Sequence, residues 1–402
     1  MLNVLFIAPY FAGNTLYCMK LLAALPDVRL GIVTHEPASR LPDRRIRHFK
    51  VSDCLDADQL IVAGRAFQKE WGRVDRLIGF MEQMQLPNAV AREALGIAGM
   101  KAVAARRFRD KNEMKSTLRA AGLPVARQRL LRSAEDALSF IGEVGYPIVV
   151  KPLAGLGSKA TMRVSSEEEL YAALGLLLPT PASPVQAEEF VQGSEHTFEA
   201  VTIGGQPVWH STSYYLPGPL QVIENPWMQY CVLLPREQLP AHARPFHPLN
   251  TAALAALGMK TGLSHMEWFI RPDGSPVISE VGARPPGVQL MPMMGYAHGV
   301  DMYDKWIRLM VYGTFEMPPR QHAVGCAFFR AQGRGNVIKS VRGVEAARAQ
   351  VGGALIEARF PRVGQPRSEH YEGEGWAIVR HPETRGVVDA LRTLITTVQV
   401  AT

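Results

Sequence analysis

The periodicity of the chain changes character near residue 185. Before that point, short apolar runs with strand character alternate with capped helical segments. From about 185 to 283, strand signals follow one another with only turns between them. Alternation favours a parallel sheet covered by helices, whereas strands joined directly by turns favour an antiparallel sheet. The chain is therefore expected to combine an α/β layer with an α+β body. Its 402 residues exceed what one ordinary core supports, so several domains are expected.

The individual segments carry physical signals of their own. "NVLFIA" and "VRLGIVTHE" read as strands flanking the helical "NTLYCMKLLAAL", with Asn14 a candidate N-cap, so residues 1 to about 95 form an open α/β layer. "RDKNEMKSTLRAAGLP" has the form of a capping box, with Asp110 at the cap, Glu113 three residues later and Gly122 at the end. "SAEDALSFIGEVG" and "SSEEELYAALGLLL" are two further capped helices. "VQAEEFV", "EHTFEAVTI" and "QPVWHSTSYY" are strands, the last two joined by a Gly-Gly turn. Pro-rich polar clusters near 180–184 and 317–321 mark boundaries.

Composition narrows the class. The chain is 47% hydrophobic and 20% charged, with no apolar run long enough to span a bilayer. The start "MLNVLFIAPYFAG" reads as a first strand rather than a secretory leader. Four scattered cysteines without a CxxC pair argue against a disulfide framework or a thiolate metal site. A cytoplasmic protein with no membrane partner is expected. The formal charge of +7 is spread along the chain. Arginines gather in "RLPDRRIRHFK" and "ARRFRDK" without aromatic platforms or a helix-turn-helix pattern, so a small anionic ligand such as a nucleotide is favoured over nucleic acid.

"GYPIVVKPLAGLGSKAT" is the first candidate binding element. A buried strand ends in Lys151 and runs into a loop with Gly155, Gly157 and Ser158, where backbone N–H groups can approach a ligand closely. It is not GxxxxGK[ST], because the lysine precedes the glycines, and it is not GxGxxG, because no helix opens after it. Strand, lysine, glycine loop and the strand "TMRVS" make a flap suited to phosphates. An exposed hairpin tip is the bland alternative.

"SHMEWFIRPDGSPVISEVGARPPG" is the second. Two strands meet at the turn "RPDG". A tight turn there sets Glu267 opposite Ile278, with Glu280 its diagonal neighbour on the same face, about 7–8 Å away at the backbone. Two carboxylates so placed can converge on a hard cation carrying phosphates. His265, Gly282 and, if the strand persists, Arg284 share that face. Between the two elements lies "EEFVQGSEHTFEAV", a linker able to offer backbone hydrogen bonds to a base edge and a carboxylate to ribose hydroxyls.

In this order and spacing, "RDK", "PIVVKPLAGLGS", "EEFVQGSE", "HMEWF" and "SEVGARPPG" resemble the ATP-grasp superfamily over roughly residues 100 to 315. Biotin carboxylase and D-alanine–D-alanine ligase are relatives of the same kind. The tail from "ALIEARF" to "VVDALRTL" resembles the C-terminal domain of L-amino-acid ligases. The resemblance implies an N-terminal open α/β (pre-ATP-grasp) domain over 1–98 and a two-lobed ATP-grasp domain over 99–320, with a nucleotide-lid lobe at about 115–187. A small C-terminal α+β domain would follow over 321–402.

It further implies that a carboxylate is activated by ATP as an acyl phosphate and captured by an amine, releasing ADP and phosphate. ATP and Mg²⁺, with Mn²⁺ as a substitute, are the implied cofactors. The implied partners are small-molecule carboxylates and amines of amino-acid or peptide type, with a homodimer left open. By position, Lys111 and Lys151 would contact phosphates under the flap 154–158. Glu188 and Val191 would meet the adenine through backbone, and Glu195 the ribose. Glu267 and Glu280 would hold Mg²⁺, and Arg284 would stabilise the acyl phosphate, as a planar guanidinium suits.

The family usually has Asn where Gly282 stands and a further Gly where Ala160 stands. A carboxylase or formyltransferase of the purine-pathway kind is the alternative, and a catalytically silent ATP-binding module a third reading. For substrate binding the candidates are His265, Tyr214 and Tyr215, with Glu224 and Trp227 on the Pro-rich excursion that follows. Met291, Met293, Met294, Met302 and Met310 read first as ordinary core and second as the floor of an apolar pocket.

Overall fold

The computed structural model describes the whole chain except residues 12, 42, 44 and 154–160. The flap residues Gly155, Gly157 and Ser158, together with Ala160, therefore lie outside the described residues.

Strands β1 (Leu2–Ile7), β2 (Val28–Thr34), β3 (Arg47–Lys50) and β4 (Arg76–Gly79) form a parallel sheet in the order β3-β2-β1-β4. β1 is apolar on both faces because helices cover both, as its burial at Val4, Leu5, Phe6 and Ile7 requires. The helix after β1 begins at Gly13, so Asn14 lies inside its first turn rather than at the cap. The helix Lys111–Ala120 opens at Asp110, whose carboxylate accepts from the Asn112 and Glu113 N–H groups. It closes at Gly122, whose φ of +74° suits a residue without Cβ.

The next four strands, β5 (Gln128–Leu131), β6 (Ile148–Pro152), β7 (Met162–Val164) and β8 (Val185–Glu189), make a small antiparallel sheet in the order β5-β8-β6-β7. Two helices pack on it, Ala134–Val144 and Glu167–Leu177, capped by Ser133 and Ser166. The β-rich stretch supplies β9 (Ser194–Ile203), β10 (Gln206–Leu216), β11 (Tyr230–Leu234), β12 (Gly262–Ile270) and β13 (Pro276–Gly282). Downstream come β14 (Ala323–Phe329), β15 (Ser340–Arg342), β16 (Leu355–Arg359), β17 (Gly375–His381) and β18 (Gln399–Ala401). Eight of these build one antiparallel sheet, β13-β12-β9-β10-β11-β14-β17-β16, which runs without a break through residue 320.

One face of the β12 end carries Met266 and Trp268, packed against Phe246 and Met114 in a continuous core. Trp268 stacks on Phe246 with ring centroids 4.0 Å apart. The opposite face of that end turns toward the small sheet and leaves a cleft between the two. Met291, Met293, Met294 and Met302 are buried in the core beside the N-terminal layer, and Met310 packs against it, as the plain core reading of that helical stretch has it.

Candidate active site

The hairpin β12–β13 sets the acids of the cleft. Its turn is one residue longer than a tight reverse turn, because Gly274 takes φ +81° and Arg271 N–H bonds to Ser275 O at 2.9 Å. A second one-residue shift lies between Glu267 and Trp268 in the pairing, where β13 carries the extra residue. Glu267 therefore faces Glu280 directly, and Trp268 rather than Glu267 faces Ile278. The two shifts add to two residues, which preserves side-chain parity. Glu267 and Glu280 thus share a face, and His265 pairs with Gly282 on it.

A cavity of about 450 Å³ fills the cleft. It is lined by Lys111, Lys151, Glu188, Val191, Glu195, Tyr215, His265, Glu267, Glu280, Gly282 and Arg284, which gathers nearly every described residue that the motifs single out. Tyr214 does not line it. Being next to Tyr215 on one strand, it turns to the opposite face and packs edge-on against His196, 5.1 Å between ring centroids. Glu224 pairs with Arg163 at 3.0 Å, outside the cavity.

The charges inside are arranged in pairs. Lys111 is bonded to Glu280. Burial alone would raise the Glu280 carboxyl, but Lys111 and Lys151 overcome it and hold it down at about 2. Glu188 is buried between two lysines: Lys115 Nζ lies 2.7 Å from Oε2, and Lys151 Nζ 2.7 Å from Oε1. Its carboxyl is likewise held at about 2 against the opposing push of burial. The backbone of Glu188 sits inside the small sheet, paired with Gln128 on one side and Val149 on the other. Its side chain anchors two lysines. Val191, two residues past the end of β8, is free of that ladder.

Glu195 differs. Burial pushes its carboxyl well above the usual range, and the neighbouring Glu267 pushes it further. His265 Nδ1 lies 2.8 Å from Glu199 and Nε2 3.6 Å from Glu267. Burial opposes its proton, yet the two carboxylates raise it to about 9, so His265 is committed to those acids as a cation. Arg284 Nε donates to Glu82 Oε2 at 2.8 Å, and Arg109 Nη1 to Glu82 Oε1 at 3.3 Å. Glu82, Lys115, Glu199, Tyr371 and Glu372 are participants that sequence reasoning missed. For Lys115 there was a usable signal, since it stands one helical turn from Lys111.

Among the described residues no three His, Cys, Asp or Glu side chains gather closely enough to cage a metal alone. Two facing carboxylates beside a third acid, Glu195, nevertheless fit Mg²⁺, which takes one or two carboxylates and completes its shell with phosphate and water oxygens. Gly282 adds no oxygen. The nearest atoms to a Cβ there would be Arg284 Cγ at 3.5 Å and, more loosely, Arg284 Nε and His265 O, all at ordinary contact distance, so a side chain can be accommodated.

A second cavity of about 940 Å³ adjoins the first, sharing Ile223 and Tyr371 in its lining. Arg330, Arg334 and Arg367 line it, with the exposed Trp227. Of its two carboxylates, Glu374 is occupied by the Ala331 and Ser368 N–H groups, which leaves Glu369.

Comparison with known proteins finds relatives of one kind. Residues 110–196 match the family model described as the ATP-binding domain of the carbamoyl-phosphate synthase L chain. An L-arginine-specific L-amino acid ligase of Bacillus subtilis is 25% identical over 281 residues, 68% of this chain and 67% of the relative. The carbamoyl phosphate synthase large chain of Methanothermobacter thermautotrophicus is 24% identical over 238 residues, 58% of this chain but only 22% of that longer protein. Among solved structures, an L-amino acid ligase from Bacillus licheniformis superposes with a TM-score of 0.77 at 20% identity, covering 100% of this chain and 98% of its own. The N5-carboxyaminoimidazole ribonucleotide synthetase of Thermotoga maritima gives 0.71 at 16%, covering 100% of both. No helix among the described residues is long and apolar enough to cross a membrane. The match over 110–196, which carries Lys111, Lys151 and the linker up to Glu195, and the fold shared along the whole chain make this protein similar to the ATP-grasp ligases.

Proposed function

We propose that the chain is an ATP-dependent carboxylate–amine ligase acting on substrates of amino-acid or peptide type. The observation that carries this reading is the cleft itself, where Lys111, Lys151 and Arg284 face Glu195, Glu267 and Glu280 around one cavity between two sheets. Val191 would meet the adenine edge through its backbone, and Glu195 the ribose. Lys111 and Lys151 would exchange their carboxylate partners for phosphate oxygens. A carboxylate oxygen of the acid then attacks the γ-phosphorus and ADP departs. The amine nitrogen next attacks the acyl carbon, loses a proton, and phosphate leaves. Such phosphoryl transfer draws mainly on positioning and fixed charge. Glu267 and Glu280 would hold Mg²⁺, which supplies neutralisation of the triphosphate charge when bound.

The amine substrate would enter from the adjoining cavity, where the arginines suit a carboxylate-bearing molecule. Residues 99–320 would supply the nucleotide site, 1–98 the Glu82 contact and 321–402 the arginines. The nucleotide product should be ADP and never AMP, because an acyl phosphate forms by transfer of the terminal phosphoryl group. Chromatography of spent nucleotide during a phosphate-release screen over paired acids and amines measures this, and AMP as the main product would rule out the acyl phosphate. The likeness to N5-carboxyaminoimidazole ribonucleotide synthetase supports one alternative, in which bicarbonate takes the place of the organic acid. Phosphate release that requires bicarbonate and no other acid would favour it.

Gly282→Asn should lower the Mg²⁺ concentration giving half-maximal rate. An amide there can add an oxygen beside Glu280 that water must otherwise supply, and the backbone accepts a side chain. Titration of both forms with Mg²⁺ at fixed ATP decides it. An unchanged or higher requirement in an active variant would mean that Gly282 serves substrate room instead.

A further inference from the structure

Lys115 is a deeply buried cation beside the cleft, 1% exposed, and it does not line the cavity. It stands one turn beyond Lys111 on the helix Lys111–Ala120, and the two lysines serve different sheets: Lys111 pairs with Glu280 of β13, and Lys115 forms an ion pair with Glu188 of β8. Glu188 is shared. Its Oε2 faces Lys115 at 2.7 Å, while Oε1 faces Lys151 at 2.7 Å and accepts from Gln186 Nε2 at 2.5 Å. One carboxylate therefore holds two ammonium groups, only one of which reaches the cavity.

Burying an unpaired charge is costly, and removing one partner of a buried pair leaves the other uncompensated. Glu188 needs one cation to stay neutralised, and Lys115 has no other acid within ion-pairing distance among the described residues. Lys151 is thus the surplus cation, and the one on the cavity wall. If it were the sole partner of Glu188, moving to a phosphate would strand a buried carboxylate, and the two anions would compete for it.

We propose that Lys115 is a positioning residue that neutralises Glu188 whenever nucleotide is bound, which releases Lys151 from the carboxylate to the phosphates. This role rests on the nucleotide reading of the cleft. It separates binding of phosphates from binding of the base, because only the phosphates need Lys151. A structural role for Lys115 in holding the helix would not make that distinction.

The test is calorimetric binding to the full chain, with MgATP as the charged probe and adenosine as the probe without phosphates, in the absence of any acid or amine. Lys115→Met keeps the length and apolar stem of the side chain. It should weaken ATP binding on the order of 10- to 100-fold, the scale of one close charge pair, with adenosine binding as in the wild type. The double variant Lys115→Met with Glu188→Gln removes both charges and should return ATP affinity toward the wild-type value, since no acid then holds Lys151. That variant is balanced in charge and keeps the test decisive should Lys115→Met alone fold poorly. Equal loss of ATP and adenosine binding, ATP binding by Lys115→Met at wild-type strength, or a double variant no better than the single one would each overturn the inference. A wild-type chain that binds adenosine and ATP, with Lys115→Met indistinguishable from it, sinks this inference alone. A wild-type chain that binds neither probe sinks the nucleotide reading together with it.

Discussion

Lys151→Ala and Glu280→Gln should each reduce ADP formation on the order of 10²-fold or more, the usual cost of removing a charge that stabilises a transferring phosphoryl group. The two losses differ in kind. Lys151 lies one residue before the end of β6 and contributes positive charge on the cavity wall. Without it Glu188 still has Lys115 at 2.7 Å, so the buried carboxylate remains neutralised and the fold should persist. Glu280→Gln is isosteric, and it frees Lys111, whose side chain is 10% exposed at the cavity edge. Its defect should be one of metal and phosphate geometry, and raising Mg²⁺ should recover part of the rate. Steady-state ADP formation, measured beside the thermal unfolding of each purified variant, checks both statements. A near-normal rate in either folded protein would move the site elsewhere.

Much of this site could be read from the sequence because its residues are local. The lysine ending a buried strand, the acids flanking one turn and the linker between two strands each announce themselves within a dozen positions. Strand alternation then carries parity, which is why Glu267 and Glu280 were expected on one face although the register differs by two residues. The register itself was not legible. It depends on Gly274 adopting a left-handed conformation and on an irregularity beside Ser279, where the Ile278 N–H bonds to Pro124 O at 2.8 Å.

What depends on distant chain was missed altogether. Glu82 meets Arg284 from 202 positions away, and the loop carrying Tyr371 and Glu372 reaches the cavity from beyond β16. Adjacent aromatic residues on a strand cannot both face one pocket, so Tyr214 and Tyr215 were never joint candidates once β10 extended through Leu216. Helix spacing held one further signal. Lys111 and Lys115, four apart, had to lie on one helix face, and a second lysine buried on the face that carries a cavity-lining one asks for a buried acid.

Arg284→Lys should lower kcat on the order of 10²-fold while leaving KM for ATP nearly unchanged. The expectation follows from where the guanidinium is already committed. Nε donates to Glu82 at 2.8 Å and Nη1 to Pro285 O at 3.0 Å, so the group is fixed before any substrate arrives and Nη2 remains for an oxyanion. Burial works against its charge, and Glu82 outweighs that effect and raises it further. A lysine keeps the positive charge but has a single nitrogen, which can satisfy Glu82 or the acyl phosphate and not both in the fixed fork geometry. Under the proposed mechanism the charge that ATP would meet on binding is retained, and what would be lost is stabilisation of the phosphate formed on the substrate carboxylate. Initial rates over a range of ATP at saturating acid and amine separate the two parameters. A rise in KM for ATP equal to the fall in kcat/KM, with kcat intact, would place Arg284 on the nucleotide rather than on the acyl phosphate.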